Sequence, residues 1–339
     1  MRRPVNSDSF YALGPERVIA AVESLGLRCT GEQLALNSYE NRVYRLRLEQ
    51  PVAGSTFVVA KFYRPNRWSD AAIVEEHRFT LELAALEIPV VAPLAFDGQT
   101  LHRRRGYRFA LYPFRPGRAP DLENPQQLEQ LGRYLGRIHA LGAQQSFAER
   151  PTLDAASFGD ESCNYLLEHD FIPAELVEPY EALCHELLDA VEEAIGEVDA
   201  PAIRLQGDAH PGNILWREGL QGDPGSPCIL DFDDARMGPA VQDLWMFLSG
   251  DRAQMEESLD ALLAAYSRFF PFDSRQLRLI EPLRTLRMLH HAAWLARRWQ
   301  DPVFQYAFPW FNTVQYWQEH LLSLKEQRAA LHEEPLTWN

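Results

Sequence analysis

Two stretches decide how this sequence is read: Gln206-Gly207-Asp208-Ala209-His210-Pro211-Gly212-Asn213 and, further on, Leu230-Asp231-Phe232-Asp233-Asp234-Ala235-Arg236. In the first, a carboxylate and a carboxamide bracket a loop rich in glycine and proline that follows the apolar run 202–205. The runs 214–216 and 228–232 then read as short strands, and a loop and hairpin between them can bring Asn213 beside Asp231. Hard oxygen donors of this kind suit Mg²⁺, which keeps several waters and is completed by substrate phosphates. Asp208 is then placed to accept or orient a hydroxyl proton, while Asn213 and Asp231 hold the cation that offsets charge on a moving phosphoryl group. Simple turn capping by Asp208 and Asn213 is the plain alternative. The added run Asp231-Phe232-Asp233-Asp234 favours phosphoryl transfer over it. Metal-assisted hydrolysis draws on the same residue types, but it does not call for the basic residue found upstream.

That residue is Lys61, at the end of the strand-like run Thr56-Phe57-Val58-Val59-Ala60-Lys61-Phe62-Tyr63. On the helix expected over 69–86, Ala72, Phe79, Leu83 and Leu86 put Glu76 on the apolar side and Glu75 beside it. A carboxylate on an inward face needs a partner, so Glu76 is expected to pair with Lys61 in the arrangement that grips the inner phosphates of ATP. The loop Asn37-Ser38-Tyr39-Glu40-Asn41 sits where a phosphate-covering turn is expected, with Ser38 able to donate a hydroxyl. It holds neither of the standard glycine-rich phosphate motifs.

Outward from these segments, residues 1–113 read as mainly strand with one inserted helix, the strands being 43–48, 56–63, 99–103 and 107–112. Prolines and glycine crowd 114–120, where the boundary between two lobes is placed. Long helical patterns follow at 173–198, 253–269, 277–299 and 311–332, so residues 114–339 read as mainly helical. The fold class is therefore α+β, with a sheet-rich first lobe and a helical second one. Aspartate and glutamate outnumber lysine and arginine by 48 to 33, a net charge of −15 that repels nucleic acid. No apolar run approaches the length of a membrane span, and residues 1–10 lack the apolar core of a signal peptide. A cytoplasmic, monomeric protein with no membrane or nucleic-acid partner is expected. The four cysteines form no CxxC pair and imply no disulfide framework.

Taken in order, Asn37–Tyr44, Val59–Pro65, Glu75–Phe79, Gly207–Asn213, Asp231–Arg236 and Gly238-Pro239-Ala240-Val241-Gln242-Asp243-Leu244-Trp245 resemble the bacterial stress response kinase A family, a group within the aminoglycoside and choline kinase superfamily. The resemblance runs from about Phe10 to the last helix. It implies a bilobal, protein kinase-like fold, ATP as phosphoryl donor, Mg²⁺, and transfer to protein serine and threonine in the stress response. Carried onto matching positions, it makes Asp208 the proton acceptor, Asn213 and Asp231 the metal ligands, Lys61 the phosphate-gripping lysine and Ser38 an ATP-site residue. Tyr112 to Phe114, with Tyr112 and Phe114 as its aromatic members, would line the adenine side. One departure stands out: the family's usual histidine before Gly-Asp is Gln206 here, which keeps a hydrogen bond but not the imidazole's charge.

The acceptor stays open between proteins and small hydroxyl-bearing molecules such as amino alcohols, sugars or antibiotics. A nucleotide-binding regulator whose catalysis has faded is a third class, motivated by Gln206. The adjacent pair His290-His291 points two ways on a helix and makes no zinc site. His139 reads as a packing residue, and His210 as one that shapes its loop. The mixed basic and aromatic helix 284–299 reads as amphipathic packing rather than as an acceptor groove.

Overall fold

The computed structural model describes residue 10 and residues 13–219 and 225–338. Helix α1 (Pro15–Glu23) is entered through Pro15, whose fixed φ suits a first helical turn. A five-stranded antiparallel sheet follows, built from β1 (Cys29–Leu36), β2 (Arg42–Val52), β3 (Ser55–Phe62), β4 (His102–Arg104) and β5 (Tyr107–Pro113), in the order β1-β2-β3-β5-β4. Between β3 and β4 lies α2 (Asp70–Ala85), capped by the Ser69 hydroxyl, which accepts from Ala72 N. Strand β1 escapes sequence reading because Cys29–Leu36 is largely exposed and interrupted by Gly31 at φ +92°, which leaves no alternation to detect.

The remaining elements are α3 (Pro125–Gly142), α4 (Glu161–Glu168), α5 (Val177–Val198), β6 (Ile203–Leu205), β7 (Ile214–Arg217), β8 (Ser226–Ile229), β9 (Arg236–Gly238), α6 (Arg252–Tyr266), α7 (Ile280–Arg298), α8 (Pro302–Ala307) and α9 (Val314–Ala330). The mixed α+β architecture is the one expected, although the expected helices 173–198, 277–299 and 311–332 each begin about three residues late. Tight 3-10 turns occupy Ala174–Leu176 and Ser274–Leu279 ahead of two of them.

Among the described residues, two clusters make up most of the core. Phe62, Phe109, Leu46 and Leu111 pack under α1 on one face of the sheet. A larger cluster joins the helices, and Phe79 and Leu83 of α2 belong to it, together with Phe147 and Phe232. Helix α2 thus lies between the sheet and the helical layers, with Phe79 edge-on to both Phe147 and Phe232. That position carries Glu76 to the back of the cleft beside Lys61.

Candidate active site

Strands β7 and β8 pair antiparallel with Ile214 opposite Ile229. Leu230 N donates to Asn213 O at 3.0 Å, so the hairpin sets Asn213 and Asp231 at its open end, side by side. Asn213 Nδ2 donates to Asp208 O at 3.0 Å, and this bond closes the loop that carries the carboxylate. At Asp231 the backbone is left-handed, φ 57° and ψ 70°, a conformation that costs a non-glycine residue about 1 kcal/mol or more. It persists because the neighbouring groups hold it. Gln206, fully buried, donates from Nε2 to Asp231 O at 2.8 Å and to Leu230 O at 3.2 Å, and its Oε1 accepts from Asp208 N at 2.7 Å. The glutamine therefore ties the Asp208 loop to the Asp231 loop through three neutral hydrogen bonds. Gly207 has φ +88°, and a Cβ there would collide with the Asp234 carbonyl oxygen.

Beneath the loop sits Asp243, with no exposure to solvent. Its Oδ2 accepts from Gln206 N at 2.7 Å and its Oδ1 from Gly207 N at 2.8 Å. His139 Nε2 lies 3.2 Å from the same Oδ2, and His139 Nδ1 lies 2.7 Å from the Tyr266 hydroxyl. Gln242 Nε2 adds a bond to Gly207 O at 3.0 Å. A buried carboxylate taking this many donors is a rigid post under the loop. His139 is thus a core residue, as read, with a supporting role that its sequence neighbourhood did not reveal.

Lys61 lies on β3, opposite Val43 on one side and Ala110 on the other. The expected direct pair with Glu76 is not formed. Lys61 Nζ lies 2.9 Å from Asp231 Oδ1 and 3.2 Å from Asp233 Oδ1, whereas the guanidinium paired with Glu76 is that of Arg150, at 3.9 Å. The physical reason is delivery: the 231–234 segment brings two carboxylates to the tip of the ammonium, and Glu76 acts on it from further away. Burial opposes the charge on Lys61, but Asp231 and Asp233 outweigh it and hold the pKa well above the ordinary lysine value. Glu76 is itself pushed up to about 7 by burial, with Lys61 and Arg150 pulling the other way. Glu75 faces elsewhere and accepts from the backbone N–H groups of Ala148, Glu149 and Arg150.

Asp233 is the residue of this region whose part the sequence did not disclose. It is buried, receives Asn41 Nδ2 at 3.1 Å, and pairs with Arg67 and Lys61. Burial would raise its pKa, but Lys61 and Arg67 outweigh that and lower it to about 2. Its two links to Asn41 and Lys61 connect the 231–234 segment to the β1–β2 loop and to β3. Glu40, in the same β1–β2 loop, is held ionised against burial by Arg67 and Arg298. Trp294 Nε1 donates to Glu40 at 2.7 Å, fixing the loop to α7.

Two cavities meet here. One, about 390 Å³, is lined by Val43, Val59, Lys61, Glu76, Tyr112 and Phe114 among others, and continues along Leu215, Leu230 and Phe232. Its far wall is firm, since the Tyr112 hydroxyl lies 2.8 Å from that of Tyr63 and 3.2 Å from His77 Nε2. The other, about 470 Å³, contains Asp208, Asn213, Asp233, Asp234 and His210 on one side and Leu283, Arg287, His290, His291 and Trp294 of α7 on the other. Asn37, Ser38 and Asp231 belong to both walls. The packing reading of helix 284–299 therefore holds for Leu286, Leu289 and Ala293, which are buried, but not for Arg287 and its neighbours. Leu283, Arg287, His290 and Trp294 recur at spacings of three and four, with His291 at the border of that stripe, and the spacing is present in the sequence.

The phosphotransferase enzyme family profile, APH, matches residues 32–280. Stress response kinase A from Salmonella choleraesuis is 43% identical over 331 residues, covering 98% of this chain and 97% of that protein. Stress response kinase A from Escherichia coli is 43% identical over 328 residues, covering 97% and 96%. A Salmonella typhimurium relative named serine/threonine protein kinase RdoA is likewise 43% identical, over 98% and 97%. Among solved structures, an amicoumacin kinase superposes with TM-score 0.69 at 17% identity, covering 98% of both chains, and a microcompartment-associated aminopropanol kinase with 0.66 at 16%, covering 92% and 95%. The chain belongs to the phosphotransferase enzyme family and is similar over nearly its whole length to the stress response kinase A proteins.

Proposed function

We propose that the protein transfers the γ-phosphate of ATP to serine and threonine hydroxyls of other proteins, as a cytoplasmic monomer acting in a stress response. The observation that carries the reading is the shared wall: Asn37, Ser38 and Asp231 border both cavities, so a donor in one and an acceptor in the other would meet there. In this reading residues 1–113 form the nucleotide lobe and 114–339 the catalytic lobe. Tyr112 and Phe114 line the adenine side, Lys61 holds the inner phosphates, Glu76 supports Lys61 from behind, and Ser38 donates to a phosphate. Asp208 accepts the proton as the acceptor's O–H bond breaks and its oxygen bonds to the γ-phosphorus, the β–γ bridging bond breaking to release ADP.

Asn213 and Asp231 would hold Mg²⁺, which supplies charge neutralisation at the phosphates when bound. Their donor set fits that ion. Asn213 Nδ2 donates to Asp208 O at 3.0 Å, which leaves its Oδ1 as a hard oxygen donor beside Asp231, and two such donors leave positions for phosphate and water. The solved amicoumacin kinase, described in complex with AMP-PNP and Ca²⁺, supports a nucleotide and a divalent cation in this fold.

The protein acceptor is favoured by the relative named a serine/threonine protein kinase and by the rim of the second cavity. Phe308 lines that cavity, its ring centroid is 5.8 Å from that of Trp310, and Tyr306, Trp310 and Val314 are exposed nearby. Exposed aromatics beside a cleft suit a polypeptide better than a small solute. The second reading, a small-molecule hydroxyl kinase, is supported by the names of the solved neighbours. Transfer of labelled γ-phosphate to lysate proteins and to fractionated metabolites, with Asp208→Asn as background, decides between them. Labelled protein supports the first reading, a labelled metabolite replaces it with the second, and no product from either refutes both.

A further inference from the structure

The wall of the second cavity carries three arginines in unlike circumstances. Arg67 is held by Asp233 and Asp234, and Arg236 by Asp234 at 2.8 Å, both largely buried. Arg287 is 43% exposed on α7, and its Nη1 lies 2.5 Å from Asp208 Oδ1. The other oxygen of Asp208 faces His210 Nε2 at 3.5 Å. The carboxylate assigned the hydroxyl proton is thus already engaged, on one oxygen, by a guanidinium that projects into the acceptor cavity.

This arrangement has a consequence for the acceptor. A hydroxyl that donates to Asp208 must share or displace the Arg287 contact, and a guanidinium released from its carboxylate inside the acceptor cavity is placed to take another anion there. Resting on the phosphotransfer reading above, we propose that Arg287 is a specificity-determining residue that selects hydroxyls carrying a carboxylate close by, in proteins a serine or threonine next to an acidic residue. Arg287 then exchanges Asp208 for the substrate carboxylate, and the same movement frees Asp208 for the hydroxyl. An acceptor with a neutral or cationic neighbour leaves the Arg287–Asp208 pair closed. The guanidinium suits this exchange because its fork of donors can hold a carboxylate in two parallel bonds.

The test measures kcat/KM for serine peptides identical except for Glu, Gln or Lys beside the serine, and in parallel for a hydroxy acid against an amino alcohol. The expected result is a preference of about tenfold or more for the carboxylate-bearing member. The set in which transfer occurs identifies whether the carboxylate comes from a polypeptide or a small molecule. Arg287→Gln should reduce the Glu-to-Gln ratio to about one, Arg287→Lys should keep part of it, and Arg287→Glu should invert the order in favour of the Lys peptide. The inversion is a gain that a misfolded variant cannot produce. Transfer with no carboxylate preference, or a preference that survives Arg287→Glu, overturns the role of Arg287 and leaves the phosphotransfer reading standing. Transfer to none of these acceptors overturns both.

Discussion

Replacing Asp243 by asparagine keeps shape and volume but changes the hydrogen-bond count at the post beneath the 206–213 loop. In the native protein its two oxygens accept from Gln206 N at 2.7 Å, Gly207 N at 2.8 Å and His139 Nε2 at 3.2 Å. The two backbone donors sit on different oxygens, Gln206 N on Oδ2 and Gly207 N on Oδ1, so neither orientation of an amide can accept from both. An amide offers one acceptor oxygen and an NH₂ donor, so at least one of the three N–H groups then faces another N–H. Each bond to a charged group contributes about 1.5–3 kcal/mol, and a buried donor left without a partner costs about 1–3 kcal/mol. Asp243→Asn should therefore destabilise the protein by about 2–4 kcal/mol. Urea unfolding followed by tryptophan fluorescence measures this, with transfer activity assayed at a temperature where the variant remains folded. Turnover should fall by about tenfold or more, because the 206–213 loop loses a tether within two residues of Asp208. A stability loss under about 1 kcal/mol with turnover unchanged would refute the description of Asp243 as the support of this loop.

Asp208→Asn should leave ATP binding by calorimetry nearly intact while lowering transfer by about a hundredfold or more, and unchanged transfer would remove Asp208 from the reaction. Asp231→Ala should weaken Mg²⁺-dependent nucleotide affinity, since Asn213 alone leaves a neutral donor, and retained affinity and Mg²⁺ dependence would contradict the assignment. His77 is buried among Tyr63, Tyr112 and Thr100, and burial, reinforced by Lys61 and Arg150, lowers its pKa from 6.5 to about 3. Between those two values the unfolded chain takes up a proton that the folded protein does not, so this residue makes stability fall as pH falls from 6.5 towards 3. The stability advantage of the native protein over His77→Gln should then narrow by up to about 1.4 kcal/mol per pH unit below pH 6, and a constant gap in urea midpoints would show that His77 is not held neutral.

What the sequence made legible follows physical range. Helix α2 and the inward position of Glu76 could be read because Ala72, Phe79 and Leu83 repeat at helical spacing within one segment. The β7–β8 hairpin could be read because its strands are close in sequence, and the hairpin is what puts Asn213 beside Asp231. Lys61 was placed on its strand, but its nearest partners were not, because Asp231 and Asp233 come from 170 residues or more away and no local pattern marks which carboxylate arrives first. Gln206 looked like a loss of charge. In the folded protein it is a three-bond tie between two loops, visible only once Leu230 and Asp231 turn their carbonyls towards it. Asp243 is legible only as part of the run 238–245 that carries the family resemblance, not as a support, since two of its donors are backbone N–H groups, which nearly every residue type carries. Arg287 was legible in principle: its face of α7 has the right spacing, yet alternation of bases and aromatics describes a snorkelling surface equally well.

The most direct test of the central claim is a crystal structure of the protein with a nonhydrolysable ATP analogue and Mg²⁺. Adenine is expected against Tyr112 and Phe114, the inner phosphates at Lys61, the cation on Asn213 and Asp231, and the γ-phosphate at the junction that opens towards Asp208. A nucleotide bound elsewhere, or one whose γ-phosphate points away from the cavity containing Asp208, would contradict that claim.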